Sequence, residues 1–155
     1  MSLPLKSGFS LIELLVVMTI IGTLTGLGMM AFSEIQEDQL LKKTVKQVRS
    51  GLYEARESAF FGKKPNPGCT PFNGVEFAYS TTSFSLHPHC NNIQQSATKT
   101  VSLDKGVQLT SSGSVLFSSV TRGADAEESI MIQIPGTTKD ATITVTQTGE
   151  ITVTY

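Results

Sequence analysis

Apolar positions follow two regimes along the chain. Over residues 9–32 they are nearly continuous, and the one ionisable side chain in the run is Glu13. In helical form such a run extends about 30 Å or more, enough to cross a bilayer core. The pattern then changes period. Leu41, Val45, Val48, Leu52, Ala55 and Ala59 recur at steps of four and three, one face of a helix. Lys42, Lys43, Lys46, Arg49, Glu54 and Glu57 fall mostly between them. Gly51 is a weak point inside this stretch, and Gly62, Pro65, Pro67 and Gly68 end it. The element from Phe9 to about Phe61 would be about 80 Å long. Its second half cannot bury an apolar stripe unaided, so the remaining chain should wrap it.

Beyond a Pro/Gly connector at 63–70 the period drops to two. Residues 74–80 and 83–86 read as a hairpin, and 87–98 as a polar loop. Runs at 100–103 and 107–110 flank the turn signal Asp104-Lys105-Gly106. A short strand at 115–118 and an acidic loop at 121–129 follow. The clearest strands come last: Ile130, Ile132, Ile134; then Ala141, Ile143, Val145; then Ile151, Val153, Tyr155. Alternation with Thr on the other face predicts a half-buried antiparallel sheet, with turns at 135–140 and 147–150. The expected fold class is α+β, a long N-terminal helix with a transmembrane first half, packed on a C-terminal antiparallel β-sheet.

Composition narrows the function. The chain has 155 residues and a formal net charge of −1, so it does not as a whole advertise a nucleic-acid partner. About 120 residues remain for a soluble part, one domain of ordinary size. Seven of the twelve basic residues lie between Lys42 and Lys64, which raises DNA capture through phosphate contacts. Glu34, Glu37, Asp38, Glu54 and Glu57 offset much of that charge, and no aromatic residues interleave for base stacking. A solvated helix face or juxtamembrane charge accounts for the run more simply. Asp125, Glu127 and Glu128 raise a Ca²⁺ site, but calcium needs several converging oxygens, and a solvated loop is the simpler reading. The two histidines, His87 and His89, sit beside Pro88, and no nucleophile and base share a catalytic spacing. The chain is not expected to be an enzyme, and no cofactor is implied.

The N-terminal flank decides more. Only Met1 to Gly8 precede the run, with Lys6 as the basic element, and no Ala-x-Ala-like site follows it. Cleavage after Gly8 would leave the apolar helix on the mature protein with Phe9 at its start. Gly8-Phe9-Ser10-Leu11-Ile12-Glu13-Leu14 resembles the class III signal of type IV pilins and type II secretion pseudopilins. The resemblance implies a pilin-like fold, cutting between Gly8 and Phe9 by prepilin peptidase, and methylation of the new Phe9 amine. It also implies that Glu13 pairs with the N-terminal ammonium of a neighbouring subunit during assembly. Opposite charges attract strongly in a low dielectric and each is costly there unpaired, so the pair would set filament register. The segments are then a leader at 1–8, a transmembrane helix at 9–32, an amphipathic continuation at 33–62 and a β-rich periplasmic or extracellular domain at 63–155. Gly22, Gly26 and Gly28 weaken the helix, with Gly22 and Gly26 in GxxxG spacing for close packing. In the family such glycines are where pilin helices melt and extend inside the filament.

A second resemblance is local. Leu52-Tyr53-Glu54-Ala55-Arg56-Glu57-Ser58-Ala59 is similar to the L-x-x-A-R-x-x-A stretch of GspH/FimT-type minor subunits, as is an ending of alternating strands turning at Gly149. These resemblances imply a minor type IV pilin that helps initiate or support pilus assembly. The alternatives are a type II secretion minor pseudopilin and a DNA-binding minor pilin. Implied partners are other pilin or pseudopilin subunits, prepilin peptidase and the inner-membrane assembly platform. The implied location is the inner membrane, single-pass, with the C-terminal domain in the periplasm. That compartment favours a disulfide between Cys69 and Cys90, closing a loop of about 20 residues and contributing about 3 kcal/mol. A metal site with His87 and His89 is the rival, although the spacing matches no common zinc arrangement, and two free thiols are a third reading.

Overall fold

The computed structural model describes residues 10–155, apart from the side chains of 27–31 and 33. Both helical patterns fall on one helix, α1 (Leu11–Phe60). It ends as its sequence dictates. Gly62 takes a left-handed φ of 62°, its N–H reaches the Ala59 carbonyl at 3.2 Å, and the Lys63 N–H reaches Ser58 at 2.9 Å. This is a Schellman-type cap, which satisfies the last orphan carbonyls and favours a residue without Cβ. The chain divides into two units, Met1–Glu37 and Asp38–Tyr155.

In the first unit the described apolar side chains face outward. Leu11 is 86% exposed and Ile12 70%, and the exposed series continues through Leu24. Among the described residues no helix is long and apolar enough to cross a membrane. Phe9 and the side chains of 27–31, part of the expected 9–32 span, lie outside the described residues, as does the leader.

In the second unit the helical stripe is the core. Leu41, Val45, Val48, Leu52, Ala55 and Ala59 are all buried, the positions that the three-and-four spacing singles out. The described residues also form nine strands: β1 (Phe72–Ser80), β2 (Ser83–Cys90), β3 (Ile93–Gln94), β4 (Lys99–Ser102), β5 (Gln108–Leu109), β6 (Gly113–Ser118), β7 (Glu128–Gln133), β8 (Asp140–Val145) and β9 (Ile151–Thr154). The expected sheet is in fact two antiparallel sheets. One is ordered β3-β2-β1-β6 with β4 also on β2, and the other β5-β7-β8-β9. The helix stripe and the inward residues of both sheets form one apolar cluster, centred on Phe77, Phe117, Ile130, Ile132 and Ile143.

Several boundaries differ from the sequence reading: β1 and β6 each begin two residues earlier, and β3 lies inside the expected loop 87–98. Residues 87–90, expected in a polar loop, extend β2. Pro88 and Cys90 take the buried positions and His87 and His89 the outer ones, so the alternation persists through polar residues. Pro88 falls between the β3 and β4 pairings, and its carbonyl accepts the Gln95 N–H at 2.8 Å. The acidic loop ends sooner, because Glu128 opens β7 opposite Val145. Tyr155 lies beyond β9 and is 69% exposed, so the inward alternation stops at Val153.

Candidate functional site

The N-terminal site begins at Ser10, whose carbonyl accepts the N–H groups of Glu13 and Leu14, both at 3.1 Å. Glu13 therefore sits in the first turn of α1, where the unsatisfied N–H groups favour a negative charge. Its side chain is exposed among exposed apolar neighbours, Ile12, Leu14 and Val17. Threonines in this stretch satisfy their hydroxyls locally. Thr19, Thr23 and Thr25 donate to the carbonyls of Val16, Ile20 and Ile21 at 2.7–2.9 Å. Such back-bonding lets a hydroxyl sit in an apolar helix without another partner. A Cβ at Gly22 or Gly26 would meet nothing within 4 Å, so the GxxxG face is open. Gly8 and Phe9, the expected cleavage and methylation positions, lie outside the described residues, and Gly28 is among the side chains not described.

The polar groups of the second unit are engaged structurally. Cys69 and Cys90 form a disulfide with Cα atoms 5.1 Å apart, so neither is a free thiolate for a metal. His89 Nε2 lies 2.9 Å from Glu76 Oε2, which also accepts from Gln94 Nε2 at 2.6 Å. Burial alone would push Glu76 up. Hydrogen bonds from Ser114, His89 and Gln94, with the His89 charge, outweigh it and hold the carboxyl below its ordinary value. His87 bridges Ser85 Oγ at 2.9 Å and the Gln95 carbonyl at 3.0 Å. Among the described residues no three His, Cys, Asp or Glu side chains are grouped to hold a metal ion. Two of the acidic-loop carboxylates are turned to the fold. Asp125 Oδ1 accepts the Leu116 and Ala126 N–H groups, each at 3.0 Å, and Glu128 accepts the Tyr79 hydroxyl.

The basic run divides likewise. Lys42 pairs with Asp38 at 2.7 Å and Lys43 with Asp104 at 2.8 Å. Arg49 lies over the Tyr53 ring, 5.4 Å from its centroid. Within Leu52–Ala59 the side chains of Leu52, Ala55 and Ala59 are buried, while the Arg56 Nε reaches the β8–β9 turn, 3.2 Å from where a Cβ on Gly149 would stand.

Residues 4–29 match the family model of the prokaryotic N-terminal methylation motif. The chain carries that motif. It is the signature of type IV pilins and pseudopilins, and the match brackets Gly8, Phe9 and Glu13 in one segment. No curated protein and no solved structure matches the chain. The motif implies processing by prepilin peptidase and assembly with other pilins, and it fits membrane-anchored pilins. Type IV pilins as a family are structural rather than enzymatic.

Two features of the second unit were not singled out by sequence reasoning. Tyr79 and Glu128 are 49 positions apart, and their contact has no local signal. The other is a groove of about 750 Å³ between α1 and β9, lined by Lys42, Lys46, Arg49, Ile151, Val153 and Tyr155 among others. Its signal was half present, in basic residues spaced along one helix face, but the strand opposite them is set by topology.

Proposed function

We propose that this chain is a minor type IV pilin, a structural subunit that helps initiate or support pilus assembly. The observation that carries the reading is the methylation motif at 4–29, joined to a helix whose first turn holds Glu13 among outward-facing apolar side chains. In this reading prepilin peptidase cuts between Gly8 and Phe9 at the cytoplasmic face of the inner membrane and the Phe9 amine is methylated. The segment 9–32 is the anchor, and the domain stands in the periplasm until the assembly platform loads the subunit. An apolar helix surface this extensive needs lipid or other helices to cover it, and a filament core supplies helices. Glu13 then pairs with the N-terminal ammonium of a neighbour and fixes axial register.

A secretion pseudopilin shares the motif and the same assembly chemistry. Counting surface pili by electron microscopy in a strain lacking this one gene separates the two. Absent or rare pili support the minor-pilin reading. Unchanged pili with loss of secreted proteins overturn it in favour of the pseudopilin.

A further inference from the structure

The groove beside β9 has the features of a strand-binding site. β9 ends its sheet and, among the described residues, pairs only with β8. The Thr146 N–H bonds the Glu150 carbonyl at 2.9 Å, which sets the phase of the hairpin ladder. Counting along the register Thr144↔Thr152 and Thr142↔Thr154, Thr152 and Thr154 are the residues bonded to β8. The N–H and C=O groups of Ile151 and Val153 therefore point to the outer edge. Free strand edges of this kind template pairing with another chain. Here the edge opens onto the groove, whose volume of about 750 Å³ accommodates an extended peptide, with Val153 and Tyr155 supplying apolar surface.

The opposite wall is cationic. Lys42, Lys46 and Arg49 lie at steps of four and three along one helix face, and all three line the groove. Lys42 is committed to Asp38 and Arg49 rests on Tyr53, while Lys46 makes no ion pair among the described residues. Among the described residues no Asp or Glu side chain lines the groove. A main-chain edge beside a positive wall selects for backbone geometry and for acid side chains together. We infer that this groove takes up an extended, carboxylate-bearing segment of a partner protein, which adds as a strand to β9 and sets its acids against Lys46 and Arg49. Edge addition of this kind draws affinity from main-chain bonds and specificity from alternate side chains. Nucleic acid fits less well, because phosphates accept from backbone N–H groups but offer no donor to the C=O groups that alternate with them along the strand. The inference stands whether the filament is a pilus or a pseudopilus.

The test uses the full chain in detergent micelles, titrated with a short synthetic peptide of alternating valine and glutamate. Binding should protect the Ile151 and Val153 amides from hydrogen exchange, and replacing the peptide's glutamates by lysine should abolish it. Lys46→Glu combined with Arg49→Glu should weaken binding about tenfold or more, the scale of close charge pairs at an interface. Val153→Pro removes an outward N–H and keeps an apolar side chain at this half-buried position, so the β8 ladder should persist while affinity falls. Unprotected Ile151 and Val153 amides on peptide binding overturn the inference. So does a single-stranded oligonucleotide that protects the same amides and displaces the peptide, which would make the groove a nucleic-acid site. Should the charge-reversed variant misfold, judged by circular dichroism, Val153→Pro alone carries the decision.

Discussion

Gly51 shows how one residue changes meaning between sequence and fold. In the sequence it is a break in helix propensity. In the structure a Cβ there would stand 2.5 Å from Phe84 Cε2 and 3.0 Å from Phe77 Cε2. Those rings are buried and stacked, with centroids 4.9 Å apart, so neither can move aside cheaply. Gly51→Ala gains about 1 kcal/mol of helix propensity but overpacks the core at a cost of about 1–3 kcal/mol. A net loss of about 1 kcal/mol is expected, read as a lower denaturant midpoint with unchanged slope. Tyr79 offers a pH test. Burial, then its hydrogen bond to Glu128 and the charge of Glu128, push its hydroxyl up to about 12 against an opposing bond from Ser111. The folded pKa is above the unfolded value of 10.0, so its contribution is complete below pH 10.0 and lost as pH rises toward about 12. Wild type should lose stability across that alkaline window, and Tyr79→Phe should flatten the loss. A thermal unfolding series checks this. The pair itself could not be read from the chain, because nothing local links a tyrosine in β1 to a glutamate at the start of β7.

At the scale of elements, periodicity carries most of the reading. The stripe from Leu41 to Ala59 predicts the buried helix face because a period of 3.6 leaves one face to bury. The alternation in β7 and β8 predicts their burial for the corresponding reason. Where polar residues occupy a strand the signal fails, as with Ser85, His87 and His89 on the outer face of β2. What keeps β2 extended there is pairing with β1 and the disulfide, which ties Cys90 to the connector after α1. Breaking that tie with Cys69→Ser and Cys90→Ser together should cost about 3 kcal/mol, since a loop of that length is freed in the unfolded chain. Chemical denaturation of the full chain with and without reductant measures it. A loss well under about 1 kcal/mol would mean that pairing alone holds the β2 end.

For the whole molecule the decisive test lies at Glu13. Glu13→Ala should leave the Asp38–Tyr155 unit folded, because the core of that unit is built from Leu41 onward and does not include the first turn of α1. Incorporation into filaments should fall severely. Fractionation of sheared filaments against membranes checks it, and normal incorporation of the variant would reject the charge-pairing mechanism. The sequence alone determined the N-terminal motif, the lone carboxylate, the two helical regimes and the α+β class. All of these are written in local order and period, which act before the chain folds. Only the tertiary structure decided that the strands part into two sheets, that Gly51 admits the Phe84 ring, and that Tyr79 meets Glu128. It also decided that the edge of β9 opens beside Lys46. These depend on which distant segments share one core, and pairing across many residues is chosen by the packing of the whole rather than by any stretch of it.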